Sequence, residues 1–210
     1  MLIRFFMRID NILILLSLIS IFIFACTSIQ PKNTVDSCIL FKEKKNWYKS
    51  TKKSYEKWNT PIALQLAIIY QESSFNQFAK PVRKKIIGII PWKRPSSAFG
   101  YAQVVDPTWE WYKSKTGNSN ASRANFQDIT DFIGWYITQS NKIIGIPKND
   151  AYNQYLAYHE GHEGWKKESY RSKKWLMNIA KKVESTANMY NNQLKQCENE
   201  LNKKGFFGIF

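Results

Sequence analysis

The sequence predicts a mainly α-helical domain, and three observations support this fold class. Residues typical of helix starts, Thr60–Pro61, Asp106–Pro107 and Asp150, precede segments with apolar positions three and four apart. One long apolar stripe of this kind runs through the last segment of the chain. No segment alternates as a convincing β-hairpin would. With 210 residues, of which 44% are hydrophobic and 15% aromatic, the chain has the size of one domain with a real core.

The first two helices are expected after a short polar segment. Asp36 can cap a helix that continues to about Trp58 and exposes a lysine-rich face. Its apolar positions include Cys38, Phe41, Tyr48, Tyr55 and Trp58. We expect Thr60 to cap the next helix and Pro61 to occupy its first turn, before the segment IALQLAIIYQES. That segment is apolar on nearly every side, which predicts a central, buried helix.

Three more helices are expected between the middle of the chain and its last segment. A helix that starts at Asp106–Pro107 should stop before Gly117. Asp128 can open the next helix, which Gly145 ends. Asp150 caps a short helix that reaches the segment YLAYHEG. The glycines in and after that segment predict a bend rather than a regular continuation.

The last helix is expected from about Ser172 to beyond Leu201. Its apolar stripe consists of Leu176, Ile179, Val183, Ala187, Tyr190, Leu194, Cys197 and Leu201. A coiled coil would show the same spacing, but one long helix that packs along the domain is the simpler interpretation. The domain is therefore expected over residues 36–204, followed by an apolar tail at 205–210.

The N-terminal segment has the features of an export signal. Arg4 and Arg8 precede the apolar run Ile12–Ala25, which is too short to span a bilayer comfortably but has the length of a signal-peptide core. The run ends in IFAC, residues Ile23–Cys26, which resembles the lipobox of bacterial lipoproteins. An ordinary signal peptide and an uncleaved short anchor are the alternatives.

The lipobox resemblance has three implications. Residues 1–25 would be a lipoprotein signal peptide, Cys26 would become the lipidated first residue of the mature chain, and residues 26–35 would form the lipidated cysteine and its tether. Thr27 follows the cysteine where an aspartate would favour retention, so the resemblance implies sorting to the periplasmic side of the outer membrane. We therefore expect a lipid-anchored protein of the cell envelope.

The charge predicts a polyanionic partner. Lys and Arg number 31 against 16 Asp and Glu, a formal net charge of +15. Nucleic acid, an anionic membrane surface and an acidic cell-wall polymer all fit such an excess. An export signal excludes nucleic acid, which leaves the membrane and the cell wall.

The cysteine count is compatible with a disulfide. The chain has 3 cysteines, an odd number for an exported protein. If Cys26 is lipidated, Cys38 and Cys197 remain, and an oxidising periplasm permits a bridge between them. Such a bridge would enclose nearly the whole domain. Two buried free thiols are the alternative.

Glu72 is the main candidate for catalysis. It lies near the end of the apolar helix, three and four positions after Ile69 and Ile68, and hence on their face. Apolar surroundings favour the neutral form of a carboxyl group, so the pKa of Glu72 should be raised. A raised carboxyl pKa is what a general acid needs near neutral pH. The alternative is a glutamate exposed at a helix end.

Three short segments occur in an order that resembles a known enzyme family. They are QESSFN at Gln71–Asn76, SAFGYAQV at Ser97–Val104 and LAYHEG at Leu156–Gly161. Together they resemble the three motifs of the lytic transglycosylase domain of the lysozyme-like superfamily, over roughly residues 55–170. The resemblance implies a lysozyme-like single domain that acts on peptidoglycan glycan strands. We expect a monomer that needs no cofactor.

The reaction implied by the resemblance cleaves the β-1,4 bond between N-acetylmuramic acid and N-acetylglucosamine. Glu72 would protonate the leaving oxygen and then act as the base on the muramoyl 6-hydroxyl, which gives a 1,6-anhydro end. A hydrolytic lysozyme-like muramidase and a non-catalytic peptidoglycan-binding lipoprotein are the alternatives.

Substrate-binding roles follow from the same motifs, residue by residue. Ser73 would form a hydrogen bond within the site, and Gly100 would let the backbone approach the sugar. Tyr101 stands where the family usually has Leu and would lie in an aromatic cleft. Gln103 would contact the N-acetyl or lactyl side of the sugar, and the hydroxyl of Tyr158 would lie near the acid.

Two features depart from the family pattern. His159 stands where Asn is usual, and Glu160 beside it is a possible second carboxylate near the site. The chain between Glu72 and Gly100 is longer than usual and contains the basic, apolar insertion Lys80–Pro95. We expect this insertion to form a loop beside the cleft that contacts anionic stem peptides or headgroups, against the alternative of a solvated surface loop.

The two histidines also suggest a zinc site, which the spacing disfavours. His159 and His162 lie three positions apart rather than four, so the segment HEGHEG is not the H-E-x-x-H motif. No third cysteine or histidine ligand lies elsewhere in the chain, although carboxylates could serve as ligands. We therefore expect no metal.

Overall fold

The computed structural model describes residues 30–83, 85–86, 90–91 and 93–206. The predicted signal peptide at 1–25, the lipidation site Cys26 and most of the tether lie outside the described residues. So do residues 207–210 of the predicted tail, whereas residues 205–206 continue the last helix.

The described part of the chain is mainly helical, as predicted. Its elements, in chain order, are α1 (Ser37–Glu43), α2 (Lys45–Trp58), α3 (Ile62–Ser73), β1 (Lys85–Ile86), β2 (Ile90–Pro91), α4 (Asp106–Thr116), α5 (Phe126–Ile144), α6 (Ala151–Lys166), a short 3₁₀ helix (Ser169–Ser172) and α7 (Lys174–Phe206). The fold class and the long last helix are confirmed. None of the described helices has the length and apolarity that crossing a membrane requires.

Several predicted helix ends are confirmed. The side chain of Asp36 accepts hydrogen bonds from the backbone N–H of Cys38 and Ile39. Asp150 accepts from the N–H of Asn153 at the start of α6, at 3.0 Å. The helix predicted to run from Asp36 to Trp58 is instead divided at Lys44, whose backbone leaves the helical region between α1 and α2.

Two predicted caps are wrong. Thr60 makes no capping bond, because its buried hydroxyl donates to the carbonyl oxygen of Gly134 on α5. Asp128 does not open α5 but lies in its first turn and accepts from the N–H of Ser122. The cap of α5 is Asn125, whose side chain accepts from two backbone N–H groups of the first turn.

The chain also contains a β-hairpin that the sequence did not predict. Strands β1 and β2 pair antiparallel inside the Lys80–Pro95 insertion, with Ile86 opposite Ile90. Each strand has 2 residues, so no alternation of apolar and polar positions could develop. The hairpin lies in the chain between α3 and the second motif segment.

The core surrounds α3, as its sequence predicted. Seven consecutive residues of α3, from Ala63 to Ile69, are buried. Helix α7 packs along α3 and buries all positions of the predicted stripe except Ile179, which is half-buried beside the fully buried Ala180. A disulfide joins Cys38 of α1 to Cys197 of α7, with 6.0 Å between their Cα atoms. The end of α3 is thereby held in a rigid helical frame.

Candidate active site

A cleft of about 570 Å³ opens at the C-terminal end of α3. Its lining residues are Glu72, Pro81, Ala98, Gln103, Val104, Val105, Thr108, Phe132, Tyr136, Tyr158, His159, Glu160 and Gly161. The three motif segments, far apart in sequence, therefore meet at one cavity. Five of the predicted site residues line it: Glu72, Gln103, Tyr158, His159 and Glu160.

Glu72 is the one carboxyl group of the first motif, and its environment suits proton transfer. It lies in the last turn of α3, partly buried, after the buried Ile68 and Ile69. Burial raises the pKa of Glu72 to about 7, while a hydrogen bond from Tyr155 acts in the opposite direction. Both protonation states of this carboxyl group are accessible near neutral pH.

Tyr155 is a site residue that the sequence analysis missed. Its hydroxyl donates to Glu72 Oε1 at 2.9 Å, and its side chain is only 3% exposed. Burial and the charge of Glu72 raise the pKa of Tyr155 far above its usual value, so the phenol remains a donor. Tyr155 precedes Tyr158 by three residues on α6, so the two side chains lie on the same face of the helix. This spacing is the sequence signal that could have identified Tyr155.

Tyr158 lies near Glu72, but its hydroxyl forms its hydrogen bond with the second motif and not with Glu72. Its hydroxyl donates to the carbonyl oxygen of Ala102 at 2.7 Å, and its ring packs against Tyr136 with 5.3 Å between centroids. Burial and the nearby charge of Glu72 raise the pKa of Tyr158 well above its usual value. Tyr158 therefore links α6 to the second motif and provides part of the cleft wall.

Gln103 presents an acceptor to the cleft. Its side-chain Nε2 donates to the carbonyl oxygens of Ala79 and Gly100, each at 2.9 Å. Because both N–H groups are used, Oε1 is the atom left for a ligand. The backbone of Gln103 has a φ of 48°, in the left-handed region, which is uncommon for a residue with a side chain. Such an acceptor suits an amide N–H, as in an N-acetyl group.

Ser73 and Tyr101 do not line the cleft. The Ser73 hydroxyl donates to the carbonyl oxygen of Tyr101 at 2.7 Å and so joins the first motif to the second. The Tyr101 ring is buried and packs edge-on against Trp47 and Phe126, at 5.7 and 5.4 Å between centroids. Burial raises the pKa of Tyr101 to about 12. These two residues stabilise the contact between the first and second motifs without lining the cleft.

Gly100 does not line the cleft, and its backbone approaches that of Arg123 closely. It has a φ of +80°, and a Cβ there would lie 2.1 Å from the backbone oxygen of Arg123. The Arg123 guanidinium donates to the carbonyl oxygen of Val104 at 2.7 Å and forms an ion pair with Asp106 at 2.7 Å. Arg123 was not predicted as a site residue, because nothing in its local sequence indicates a contact with the second motif.

Glu160 is a fixed anion at the edge of the cleft. Its side chain is 4% exposed and is contacted by Lys173 Nζ at 2.7 and 2.8 Å, by the Ser169 hydroxyl and by His159 Nδ1 at 3.0 Å. Burial alone would raise its pKa, but these hydrogen bonds and the Lys173 charge lower the pKa of Glu160 to about 2. This second carboxylate is therefore ionised and already engaged.

The two histidines have different partners. Helix α6 bends at Gly161, where φ is 72° and ψ is 166°, as the glycines of this segment predicted. Beyond the bend, His162 Nε2 lies 3.0 Å from the Ser140 hydroxyl, and the ring stacks on Tyr136. Burial lowers the pKa of His162. Among the described residues, no cluster of three or more Cys, His, Asp or Glu side chains is arranged to bind a metal ion.

The helical fold and the cleft define a lysozyme-like protein, with one carboxyl group at the end of a buried helix. The chain matches the family model described as the transglycosylase SLT domain over residues 14–197. It therefore belongs to the transglycosylase SLT domain family, a family of lytic transglycosylases that act on peptidoglycan. No curated protein and no solved structure gives a significant match to the chain.

Proposed function

We propose that this protein cleaves the β-1,4 bond between N-acetylmuramic acid and N-acetylglucosamine in peptidoglycan and leaves a 1,6-anhydro-muramoyl end. The observation that supports the proposal most is the environment of Glu72. Its carboxyl group has a pKa of about 7, lies in a cleft formed by all three motif segments and accepts a hydrogen bond from Tyr155.

In the first step, protonated Glu72 acts as the general acid. It donates its proton to the glycosidic oxygen as the bond from that oxygen to the anomeric carbon breaks. The leaving N-acetylglucosamine departs with a free 4-hydroxyl. The required proton is available near neutral pH, because burial raises the pKa of Glu72 to about 7.

In the second step, ionised Glu72 acts as the base. It takes the proton of the muramoyl 6-hydroxyl while that oxygen bonds to the anomeric carbon. One carbon–oxygen bond has then been exchanged for another, the proton is back on Glu72, and no water has been consumed. The hydrogen bond from Tyr155 stabilises the carboxylate between the steps.

Glu160 supports a mechanism with one carboxyl group. Two-carboxylate glycosidases need a second group that acts as a base or as a nucleophile. Glu160 lines the cleft, but its pKa is lowered to about 2 and its oxygens are bonded to Lys173, Ser169 and His159. So weak and so engaged a base is a poor activator of water. This favours attack by the substrate's own hydroxyl over hydrolysis.

The remaining cleft residues suit a sugar ligand. Gln103 Oε1 is an acceptor for the acetamido N–H, and the Tyr158 ring lines the cleft with the buried rings of Phe132 and Tyr136 packed against it. Such an aromatic ring offers an apolar face to a ligand. We assign Glu72 as the catalytic residue and Gln103, Tyr158 and His159 as substrate-binding residues.

We also propose that the protein is a monomeric, lipid-anchored enzyme of the outer membrane, on its periplasmic side. The lipobox-like segment that ends at Cys26 supports the anchor. The disulfide between Cys38 and Cys197 supports an oxidising compartment. Metabolic labelling with a fatty acid should label the parent protein and leave a Cys26→Ser variant unlabelled. A parent protein without label would overturn the lipid anchor.

Digestion of purified sacculi tests the reaction. The parent protein should release muropeptides with 1,6-anhydro ends, detected by mass spectrometry, and a Glu72→Gln variant should release none above background. Reducing muramoyl ends would indicate a hydrolase. If the folded parent releases no product, or if Glu72→Gln matches the parent, the proposal is wrong.

A further inference from the structure

Two aromatic side chains lie together at the edge of the cleft, where α6 ends and α7 begins. The rings of His159 and Trp175 are 5.3 Å apart between centroids and meet at 78°. Trp175 is 52% exposed, and the His159 side chain is 37% exposed. The Trp175 indole therefore offers a large, partly exposed aromatic face beside the cleft, against which a ligand can pack.

An ion pair between the partly exposed Lys173 and the buried carboxylate of Glu160 lies next to these two rings in the chain. Glu160 follows His159 directly on α6, and Lys173 precedes Trp175 by two residues at the start of α7. Lys173 Nζ contacts both carboxylate oxygens of Glu160, at 2.7 and 2.8 Å, and the Glu160 side chain is 4% exposed. Because the pair ties the two helices together beside the rings, little ordering of this surface is needed on binding.

The same carboxylate selects the tautomer of His159. Glu160 Oε1 lies 3.0 Å from His159 Nδ1, and an ionised carboxylate can only accept a hydrogen bond. When the imidazole is neutral, its proton is therefore on Nδ1 and Nε2 is an acceptor. His159 lines the cleft, so this acceptor is available to a ligand bound there.

We propose that His159 and Trp175 form an outer sugar subsite, which extends the glycan-binding cleft onto α7. The Trp175 indole stacks on the apolar face of an N-acetylhexosamine ring, and His159 Nε2 accepts a hydrogen bond from a hydroxyl or amide group of the same sugar. The inference rests on the proposed function, since it takes a glycan strand as the ligand. It also explains what His159 does where an asparagine was expected.

The test measures how affinity depends on glycan length. The probes are a tetrasaccharide and an octasaccharide of alternating N-acetylglucosamine and N-acetylmuramic acid, free of stem peptides. They are titrated calorimetrically into Glu72→Gln protein, which binds without cleaving. Trp175→Ala in this background should weaken octasaccharide binding on the order of tenfold and leave tetrasaccharide binding unchanged.

Two further variants make the result specific. His159→Phe keeps a ring against Trp175 but removes the acceptor, and should weaken octasaccharide binding by a few-fold. Tyr55→Ala is the matched control, because Tyr55 is 44% exposed on α2 and does not line the cleft. It should bind both probes like the Glu72→Gln parent. Circular dichroism and the melting temperature of each variant show whether it is folded.

Each contrary outcome has one meaning. Equal octasaccharide affinities with and without Trp175 overturn the subsite, as does an equal loss on both probes. An effect of Trp175→Ala that occurs only with peptide-bearing fragments would assign the surface to stem peptides instead. Sacculus digestion tests the proposed function separately. If the Glu72→Gln variant still cleaves sacculi, the proposed function is wrong. If Glu72→Gln abolishes cleavage but adding Trp175→Ala does not change octasaccharide binding, only the subsite is wrong.

Discussion

Tyr155 donates its hydroxyl hydrogen to Glu72 Oε1 across 2.9 Å, and this bond joins α6 to the end of α3. It favours the ionised form of the carboxyl group, while burial favours the neutral form. The balance leaves the pKa of Glu72 at about 7, where the group can give and take a proton. A purely apolar pocket would keep the acid protonated and so hinder the base step.

Replacing Tyr155 by Phe should therefore change the pH profile. Loss of the donor raises the pKa of Glu72 further, so the acid form persists to higher pH. The alkaline limb of kcat/KM should move to higher pH, and kcat should fall roughly tenfold, because the carboxylate loses a bond that stabilises and orients it. Tyr152→Phe on the same helix is the control and should leave both unchanged. An alkaline limb at the parent's position would contradict the assigned role.

Glu72 should also destabilise the fold at high pH. The pKa of Glu72 is about 7 in the folded state and about 4.5 in the unfolded state. The free energy of unfolding is therefore at its full value below about pH 4.5, where Glu72 is protonated in both states, and it falls as the pH rises through about 7. At about pH 8 the Glu72→Gln variant should gain up to about 3 kcal/mol over the parent, relative to their difference at about pH 4. Urea unfolding at both pH values measures this. A difference that does not vary with pH would mean that the carboxyl group is well solvated.

Glu160 should show the opposite dependence. Its pKa is lowered to about 2, so its contribution is present above about pH 4.5 and is lost as pH falls through about 2. Glu160→Gln should lower the free energy of unfolding by about 3 kcal/mol at neutral pH and converge with the parent in strong acid. Glu163 pairs with Lys166, and its side chain is 74% exposed. Glu163→Gln should therefore change the free energy of unfolding little. Similar losses in the two variants would refute a special role for the Glu160–Lys173 pair.

The helices could be predicted from sequence because their signals are local. The apolar circumference of α3 and the stripe of α7 identify buried faces, and Glu72 follows from its position on one of them. Contacts between distant segments have no such signal. Periodicity shows that Tyr155 is buried, but not that its hydroxyl meets Glu72. Thr60 likewise resembles a cap, yet the neighbouring α5 provides a better acceptor.

Gly100 gives a test of one such distant contact. A methyl group there would lie 2.1 Å from the Arg123 carbonyl oxygen, so the second motif would have to move. Gly100→Ala should cost about 2–4 kcal/mol of stability, from the overlap and from the left-handed backbone. Gly117→Ala is matched, because Gly117 has a φ of +73° but open space around its Cα. It should cost only about 1 kcal/mol in thermal unfolding. Equal losses would show that the backbone conformation alone requires glycine.

The disulfide between Cys38 and Cys197 should contribute much of the domain's stability without affecting catalysis. The two cysteines are 159 residues apart, so the bond restricts the unfolded chain strongly, and the chain-entropy argument gives about 5 kcal/mol as an upper value. A Cys38→Ser, Cys197→Ser double variant should therefore lose about 3–5 kcal/mol in guanidinium unfolding. At a temperature where it remains folded, its kcat should equal the parent's, because neither cysteine lines the cleft. Reductant should lower the guanidinium unfolding midpoint of the parent to that of the double variant, and should not change the midpoint of the variant. A parent midpoint that does not change in reductant would show that the disulfide adds nothing to the stability of the domain.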